Sequence, residues 1–291
     1  MIAGIDLGGS QVRVALAGAD GSIHSSVRTR TPLLGTPDRL VEWAAEQISH
    51  RDHGEPVTAA AVGAPGPVDP RRGVIVNPPN LLGWRNVPLA SMLAEAIGAP
   101  VHLENDANLA GWGEFSRGAG RGSRTMVYVT WSTGVGGGLI VDGRLFSGAH
   151  GTAGEVGHMI LDPDGPLDSC GQRGCVEAFC GGRSLAARTG RSAAELFQAA
   201  AAGDGKARLV VRRAAMYMGH ALVNLANLID PEVIVIGGGV SRSWPQLAPI
   251  LEEVLRGSPF IQPARRPRLR RARLGDRAGQ VGAVEWARAN A

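Results

Sequence analysis

Apolar residues recur along this chain in two alternating rhythms. "IAGID" (2–6) is a short apolar run stopped by "LGGSQ", and "VRVALAG" (12–18) resumes with the two-residue period of a strand. Residues 2–18 therefore predict a hairpin around a glycine turn. Thr36-Pro37-Asp38 next supplies an N-cap, a proline at the first helical position and an early acid. Leu40, Val41, Ala44, Ala45 and Ile48 then fall on one face, which predicts a helix. Residues 57–66 predict a buried strand ending in a loop, 88–98 a helix, and 100–106 a strand running into polar residues. Strands that alternate with helices imply a largely parallel sheet.

The second half opens in the same way. Residues 125–143 again read strand, glycine turn, strand. A cysteine-containing segment follows, then helices around 192–202 and 206–229, a strand at 232–239, a helix near 244–256 and a last helix over 279–290. Two comparable strand–glycine–strand units predict an α/β protein of two related lobes with a ligand cleft between them. The expected smaller first lobe is 1–118, completed by the C-terminal helix 279–291, and the larger second lobe is 119–278.

Composition narrows the setting. With 291 residues and 44% hydrophobic content the chain can bury a sizeable core. The N-terminus "MIAGIDLGG" lacks the basic leader of a signal peptide, and no stretch has the apolar length of a membrane span, so a cytoplasmic protein without a membrane partner is expected. In that compartment thiols stay reduced, and Cys170, Cys175 and Cys180, the three cysteines of the chain, suit metal binding or an incidental role better than a disulfide. The formal charge is +4, and "ARRPRLRRARLGDR" (264–277) concentrates arginine. Those arginines interleave with Leu269, Ala272 and Leu274 as on a solvated strand edge, so no nucleic-acid partner is expected.

Candidate chemistry gathers at the loops. Asp6-Leu7-Gly8-Gly9-Ser10 can bring backbone N–H groups close to an anion, and Asp6 is placed to hold Mg²⁺ beside phosphates. The second turn, Ser132 to Gly138, carries four glycines next to two hydroxyls, more conformational freedom than a plain hairpin needs. A third loop, Gly237-Gly238-Gly239-Val240-Ser241, follows the buried run "VIVI". Three such loops at strand ends fit one polyanionic nucleotide. A dinucleotide fingerprint is the rival, but a strand pattern follows Gly8-Gly9 where that fingerprint needs a helix. Asn105 and Asp106 end a strand just before an amphipathic stretch, which alone reads as a helix cap. With Asn80, Glu155 and His158 in glycine- or proline-punctuated loops, they also make a set of groups able to grip a polyhydroxylated ligand.

Eight segments, "GIDLGGS", "GAPGPVD", "NPPNLLGW", "ENDAN", "STGVGGG", "GEVGH", "CGQRGCVE" and "VIVIGGGVS", occur in an order that resembles the ROK family of sugar kinases and repressors. The resemblance covers essentially the whole chain and implies the two-lobed actin-like (ribonuclease H-like) ATPase fold. It also implies phosphoryl transfer from ATP to a hexose hydroxyl, with glucose O6 the leading acceptor. An amino sugar, an N-acetylhexosamine or a sugar-like cyclitol is the alternative acceptor, and polyphosphate an alternative donor. By motif position Asp106 would be the catalytic base. Gly66, Asn80, Asn105, Asp106, Glu155, His158 and Glu177 match the sugar-contacting positions; Asp6, Gly8, Gly9, Ser10, Thr133, Gly134, Gly136 and Gly238 match the nucleotide side. Many family repressors carry a DNA-binding extension ahead of the first glycine hairpin. This chain begins at that hairpin, which favours a kinase over a non-catalytic sugar sensor.

The same resemblance implies a structural zinc site from the histidine of "GH" and three cysteines of "CxCGxxGC". Here His158, Cys170 and Cys175 match, while Asp168 occupies the first cysteine position. Aspartate ligates zinc, though as a harder donor than thiolate. Cys180 is the rival fourth ligand. If its segment is helical, residues five apart point about 140° away from each other, which leaves Cys180 to pack as a small apolar group. A nucleophilic cysteine has no general base in support beyond His158. A dimer is usual for the family, so a homodimer or a dimer of dimers is expected, with the apolar helices at 206–229 and 244–256 as candidate interface.

Overall fold

The alternating runs form the strands they predict and the one-faced runs form the helices. The computed structural model describes every residue except His53 and Pro79. The chain divides into two compact units, the first comprising Met1–Gly118, Leu145–Ala153 and Asp276–Ala291, the second Ala119–Arg144 and Gly154–Gly275.

The first unit is built on a sheet whose strands lie in the order 23–30, 11–17, 2–7, 59–64, 101–105. Strand β1 (Ile2–Leu7) turns into β2 (Gln11–Ala17), and β3 (Ile23–Arg30) extends the meander to an edge. A short α1 (Thr31–Leu34) leads to α2 (Pro37–Ser49), where the Thr36 side chain accepts from Arg39 N as the sequence anticipates for an N-cap. Then come β4 (Ala59–Ala64), the small pair β5 (Val68–Asp69) and β6 (Val74–Ile75), α3 (Leu89–Ile97), β7 (Val101–Asn105) and α4 (Asp106–Arg117). Strands β1, β4 and β7 run parallel. The loops leaving all three therefore emerge at one edge of the sheet, the edge where open α/β sheets bind ligands.

The second unit repeats the plan. Strands β8 (Met126–Trp131) and β9 (Val135–Val141) make the predicted hairpin, and the short β10 (Arg144–Leu145) adds to it. Helices α5 (Val176–Cys180), α6 (Gly182–Thr189), α7 (Ala193–Ala201) and α8 (Gly205–Ile229) precede β11 (Val233–Gly237), α9 (Trp244–Gly257) and β12 (Arg268–Arg271). The order is β10-β9-β8-β11-β12, with β8, β11 and β12 parallel. The arginine-rich stretch is thus an edge strand, with Arg268 and Arg271 exposed and Leu269 half-buried. Helix α10 (Ala278–Ala289) returns the chain to the first unit, where Ala283, Val284 and Ala287 are buried with Ile2, Ala15 and Leu109. Among the described residues no helix is long and apolar enough to cross a membrane.

One reading of the sequence needs correction. The glycines 134–138 do not form one turn: Gly136, Gly137 and Gly138 sit in β9 opposite Thr130, Val129 and Tyr128. At least one has a packing cause, because a Cβ on Gly137 would lie 2.5 Å from Val156 Cγ2 and 2.8 Å from the Gly154 carbonyl. The turn proper is Ser132-Thr133-Gly134, closed by Ser132 N donating to Gly134 O at 2.9 Å.

Candidate active site and metal centre

In the first unit the parallel strand ends collect Asp6, Gly8, Gly9, Ser10, Gly66, Asn80, Asn105 and Asp106. The turn after β1 is held by Gly8 N donating to Gln11 O at 2.9 Å and by Thr31 Oγ1 donating to Gly8 O at 2.6 Å. Asn80 packs on it: a Cβ on Gly9 would lie 3.1 Å from Asn80 Cβ. Arg13 Nη1 donates to Asp6 Oδ2 at 3.1 Å. Burial pushes the Asp6 carboxyl up from its ordinary range, and Arg13 opposes that rise without cancelling it. Gly279 of α10 backs the same carboxylate, since a Cβ there would come within 2.6 Å of Asp6 Oδ1. Gly66 follows β4 two residues beyond Ala64, which pairs with Asn105.

Asn105 is also the helix cap that the residue pattern suggested. Its Oδ1 accepts from Ala107 N at 2.9 Å and Asn108 N at 3.2 Å. Asp106 begins α4, and its Oδ1 accepts from Ala107 N at 2.8 Å. Gly63 of β4 packs beside the start of α4, where a Cβ would lie 3.1 Å from Leu109 Cδ1 and 3.5 Å from Asp106 Cα.

In the second unit Thr133 and Gly134 lie in the turn after β8, Gly136 in β9 and Gly238 in the loop after the parallel β11. Gly238 has φ +78°, and a Cβ would lie 2.4 Å from the Trp131 carbonyl, so only glycine fits that close approach. Arg183 N donates to Thr133 O at 2.8 Å and Gly182 N to Ser132 O at 2.9 Å, which sews the start of α6 to the turn. Glu177 reaches the same place: its Oε2 accepts from Val135 N at 2.6 Å. Beside these groups opens a cavity of about 560 Å³, bordered by Ser132, Thr133, Arg183, Phe197, Arg242 and Gln246. The last four carry no local signal, because they come from a helix start, the interior of α7, a 3₁₀ turn and the first turns of α9, and only folding assembles them.

Glu155 precedes the 3₁₀ turn Val156–His158, which packs against β9 so closely that a Cβ on Gly157 would lie 2.0 Å from Val135 O. His158 is brought to Asp168, Cys170 and Cys175, with one donor atom from each of the four lying within 4.8 Å of the others. Cys170 Sγ and Cys175 Sγ are 3.7 Å apart and His158 Nδ1 is 3.6 Å from Asp168 Oδ2. A tetrahedral zinc with thiolates at ~2.3 Å has a sulfur–sulfur edge of about 3.8 Å. The donor set therefore fits such an ion. His158 Nδ1 and Asp168 Oδ1 are buried with no hydrogen-bond partner, as atoms awaiting a cation would be. Burial, with help from the nearby Cys170, Asp168 and Glu177, pushes the Cys175 thiol up to about 12. A dication reverses that balance by favouring thiolate. Cys180 lies elsewhere, buried at the end of α5 with Sγ donating to Val176 O at 3.1 Å.

Comparison with known proteins agrees with this architecture. The ROK family model matches residues 2–290. A glucokinase from Streptomyces coelicolor is 34% identical, with 98% of this chain and 96% of the relative covered. The ROK hexokinase from Thermus thermophilus superposes with a TM-score of 0.85 at 38% identity, covering 99% of this chain and 98% of the other. A ROK family glucokinase from Streptomyces griseus, solved with glucose and AMPPNP, gives a TM-score of 0.82 at 33% identity, covering 99% of both. Sequence and fold together make this chain a member of the ROK family.

Proposed function

We infer that this chain is an ATP-dependent hexose kinase that transfers the γ-phosphoryl group to the 6-hydroxyl of glucose, with Asp106 as general base. The observation that carries the assignment is the position of Asp106 on the first turn of α4, at the sheet edge that also bears the Gly8–Ser10 turn and Asn80. Relatives named glucokinase and hexokinase support the reaction class. In the step itself, the sugar oxygen bonds to the γ-phosphorus as the bond from that phosphorus to ADP breaks, and the hydroxyl proton passes to the Asp106 carboxylate. The transition state is loose, so alignment and charge neutralisation contribute most and the base a smaller factor.

Asn80, Asn105, Glu155, His158 and Glu177 supply the acceptors and donors for vicinal hydroxyls, and Gly66 lets backbone approach the ring. The cavity beside Ser132 and Thr133 takes the nucleoside, with Thr133, Gly134, Gly136 and Gly238 lining the phosphate path. Asp6 suits Mg²⁺ on the phosphates, beside Gly8, Gly9 and Ser10. His158, Asp168, Cys170 and Cys175 would hold a structural zinc. Held by these four donors, the segment that carries His158 and Glu177 would be cross-linked and both side chains oriented. Two copies associate through apolar surface on α8, where Leu209 and Met216, seven residues apart, are exposed on one face; sedimentation gives the stoichiometry.

Asp106→Asn tests the central assignment. Turnover is expected to fall by about 10²- to 10⁴-fold while calorimetry still detects glucose binding. Near-normal turnover would remove Asp106 from its role. ADP release across glucose, mannose, N-acetylglucosamine, N-acetylmannosamine, glucosamine and cyclitols, repeated with polyphosphate, identifies acceptor and donor.

A further inference from the structure

Glu104 takes no part in the chemistry above, yet its carboxylate lies 2% exposed only two residues before Asp106. Burying a carboxylate is costly unless its oxygens are fully engaged. Both are engaged. Oε1 accepts from Asn105 N at 2.8 Å and from Asn108 Nδ2 at 2.9 Å. Oε2 accepts from Ser147 Oγ at 3.1 Å.

These partners have different origins. Asn105 and Asn108 belong to the turn that presents Asp106, and the Asn105 side chain caps the same helix through Ala107 N and Asn108 N. The turn is thus pinned from the strand side by Glu104 and from the helix side by Asn105. Ser147 belongs to the excursion Leu145–Ala153, which interrupts the second unit in sequence but packs with the first. Gly151 seats that strap against Pro70, where a Cβ would lie 2.5 Å from Pro70 Cδ. The strap ends at Ala153, two residues before Glu155. One carboxylate therefore holds the turn of the base with one oxygen and the strap with the other.

We propose that Glu104 is a positioning residue for Asp106, its carboxylate clamping the Asn105–Asp106 turn and the 145–153 strap in a single register. The proposal rests on Asp106 acting as base. A purely space-filling role for Glu104 makes different demands. Glutamine preserves every bond, since its Oε1 accepts from the two asparagines and its Nε2 donates to Ser147 Oγ. Alanine removes all of them.

The test compares Glu104→Gln, Glu104→Ala and Ser147→Ala in the full chain. It reads kcat and KM per folded molecule, and hydrogen exchange of segments 104–108 and 145–153 without substrate. In E104A kcat is expected to fall on the order of 10- to 100-fold, as for a reacting group displaced by about an ångström. KM for ATP should stay within about threefold, and exchange should quicken in both segments. S147A should quicken exchange in 145–153 alone, and E104Q should keep kcat within about threefold of the parent. Parental kcat in folded E104A, or equal damage from E104Q and E104A, would overturn the proposal. Should E104A fail to fold, S147A decides, and parental exchange in its strap would overturn the proposal equally. If Asp106 were not the base, D106N would stay active while the exchange results stood. If only the clamp were wrong, D106N would be inactive and the exchange parental.

Discussion

At the scale of single residues, two positions concentrate the physical constraints. A Cβ on Gly134 would lie 2.3 Å from Glu177 Oε2, the oxygen that accepts from Val135 N. Gly134→Ala must push that carboxylate off the turn, and kcat/KM for ATP is expected to fall at least about tenfold, the cost of losing one charge-assisted hydrogen bond in a preorganised site. Initial rates against ATP concentration check this. Glu104 gives a pH-dependent stability effect of defined sign. Burial raises its carboxyl above the ordinary 4.5, and the bonds from Asn108, Asn105 and Ser147 only partly offset that rise. The contribution to stability is fully present below pH 4.5 and is lost as pH climbs through the raised folded-state value. Glu104→Gln, neutral throughout, should therefore gain in Tm over the parent near neutral pH and lose that advantage in acid, as thermal melts in the two ranges would register. Asn105 and Asp106 were legible as residues of interest because they end a strand and begin a helix. The distant partner of Glu104 was not, since Ser147 lies 43 positions away.

At the scale of elements, the apolar periods mark the helices and strands well and their partners poorly. "QVGAVEWARA" reads as a helix from its spacing, and α10 forms there. Its seat on β1 and α4 depends on glycines that no period marks. A Cβ on Gly282 would lie 1.7 Å from the Leu109 carbonyl, one on Gly113 2.6 Å from the Ala278 carbonyl, and one on Gly4 2.7 Å from Val284 Cγ2. Backbone meets backbone at that crossing, so Gly282→Ala has no flexible neighbour to yield. It is expected to destabilise by about 1–3 kcal/mol, the usual cost of overpacking. Urea unfolding measures it as a lower midpoint at unchanged slope. Strand β3 shows the opposite lapse. Its residues IHSSVRTR alternate half-buried and exposed, but the chain there is polar enough that the hairpin pattern ends before it. An edge strand buries too little apolar surface to announce itself.

At the scale of the whole molecule, the second unit assembles a metal-binding geometry from positions 158, 168, 170 and 175. The substitution of carboxylate for thiolate at Asp168 should loosen metal retention without abolishing it. Asp168→Cys is expected to hold zinc against a chelator concentration at least about tenfold higher than the parent withstands, and Asp168→Ala to lose it first, by elemental analysis after dialysis. Equal retention in all three would exclude Asp168 from the ligand set. The cluster was half legible: the cysteines alone suggested metal binding, and only the family resemblance singled out His158 and Asp168 to join Cys170 and Cys175. Cys175 is the extended N-cap of α5 and not part of the helix, so the helical angle does not apply between the two cysteines; Cys180 stands apart because the end of α5 buries its thiol in the core.

The amino-acid sequence by itself determined which segments become strands and helices, where the glycine turns fall, and which residue types can act on phosphate, sugar or metal. Each of these depends on neighbours within a few positions, where the 2.0 and 3.6 periods and the cap residues operate. Tertiary structure alone decided that the 145–153 strap joins the first unit, that Glu177 meets the Val135 amide, and that Arg183, Phe197, Arg242 and Gln246 border one cavity. Those outcomes turn on close approaches between distant segments, set by where a Cβ is missing and where a buried polar atom finds its partner. Local periodicity carries no record of either.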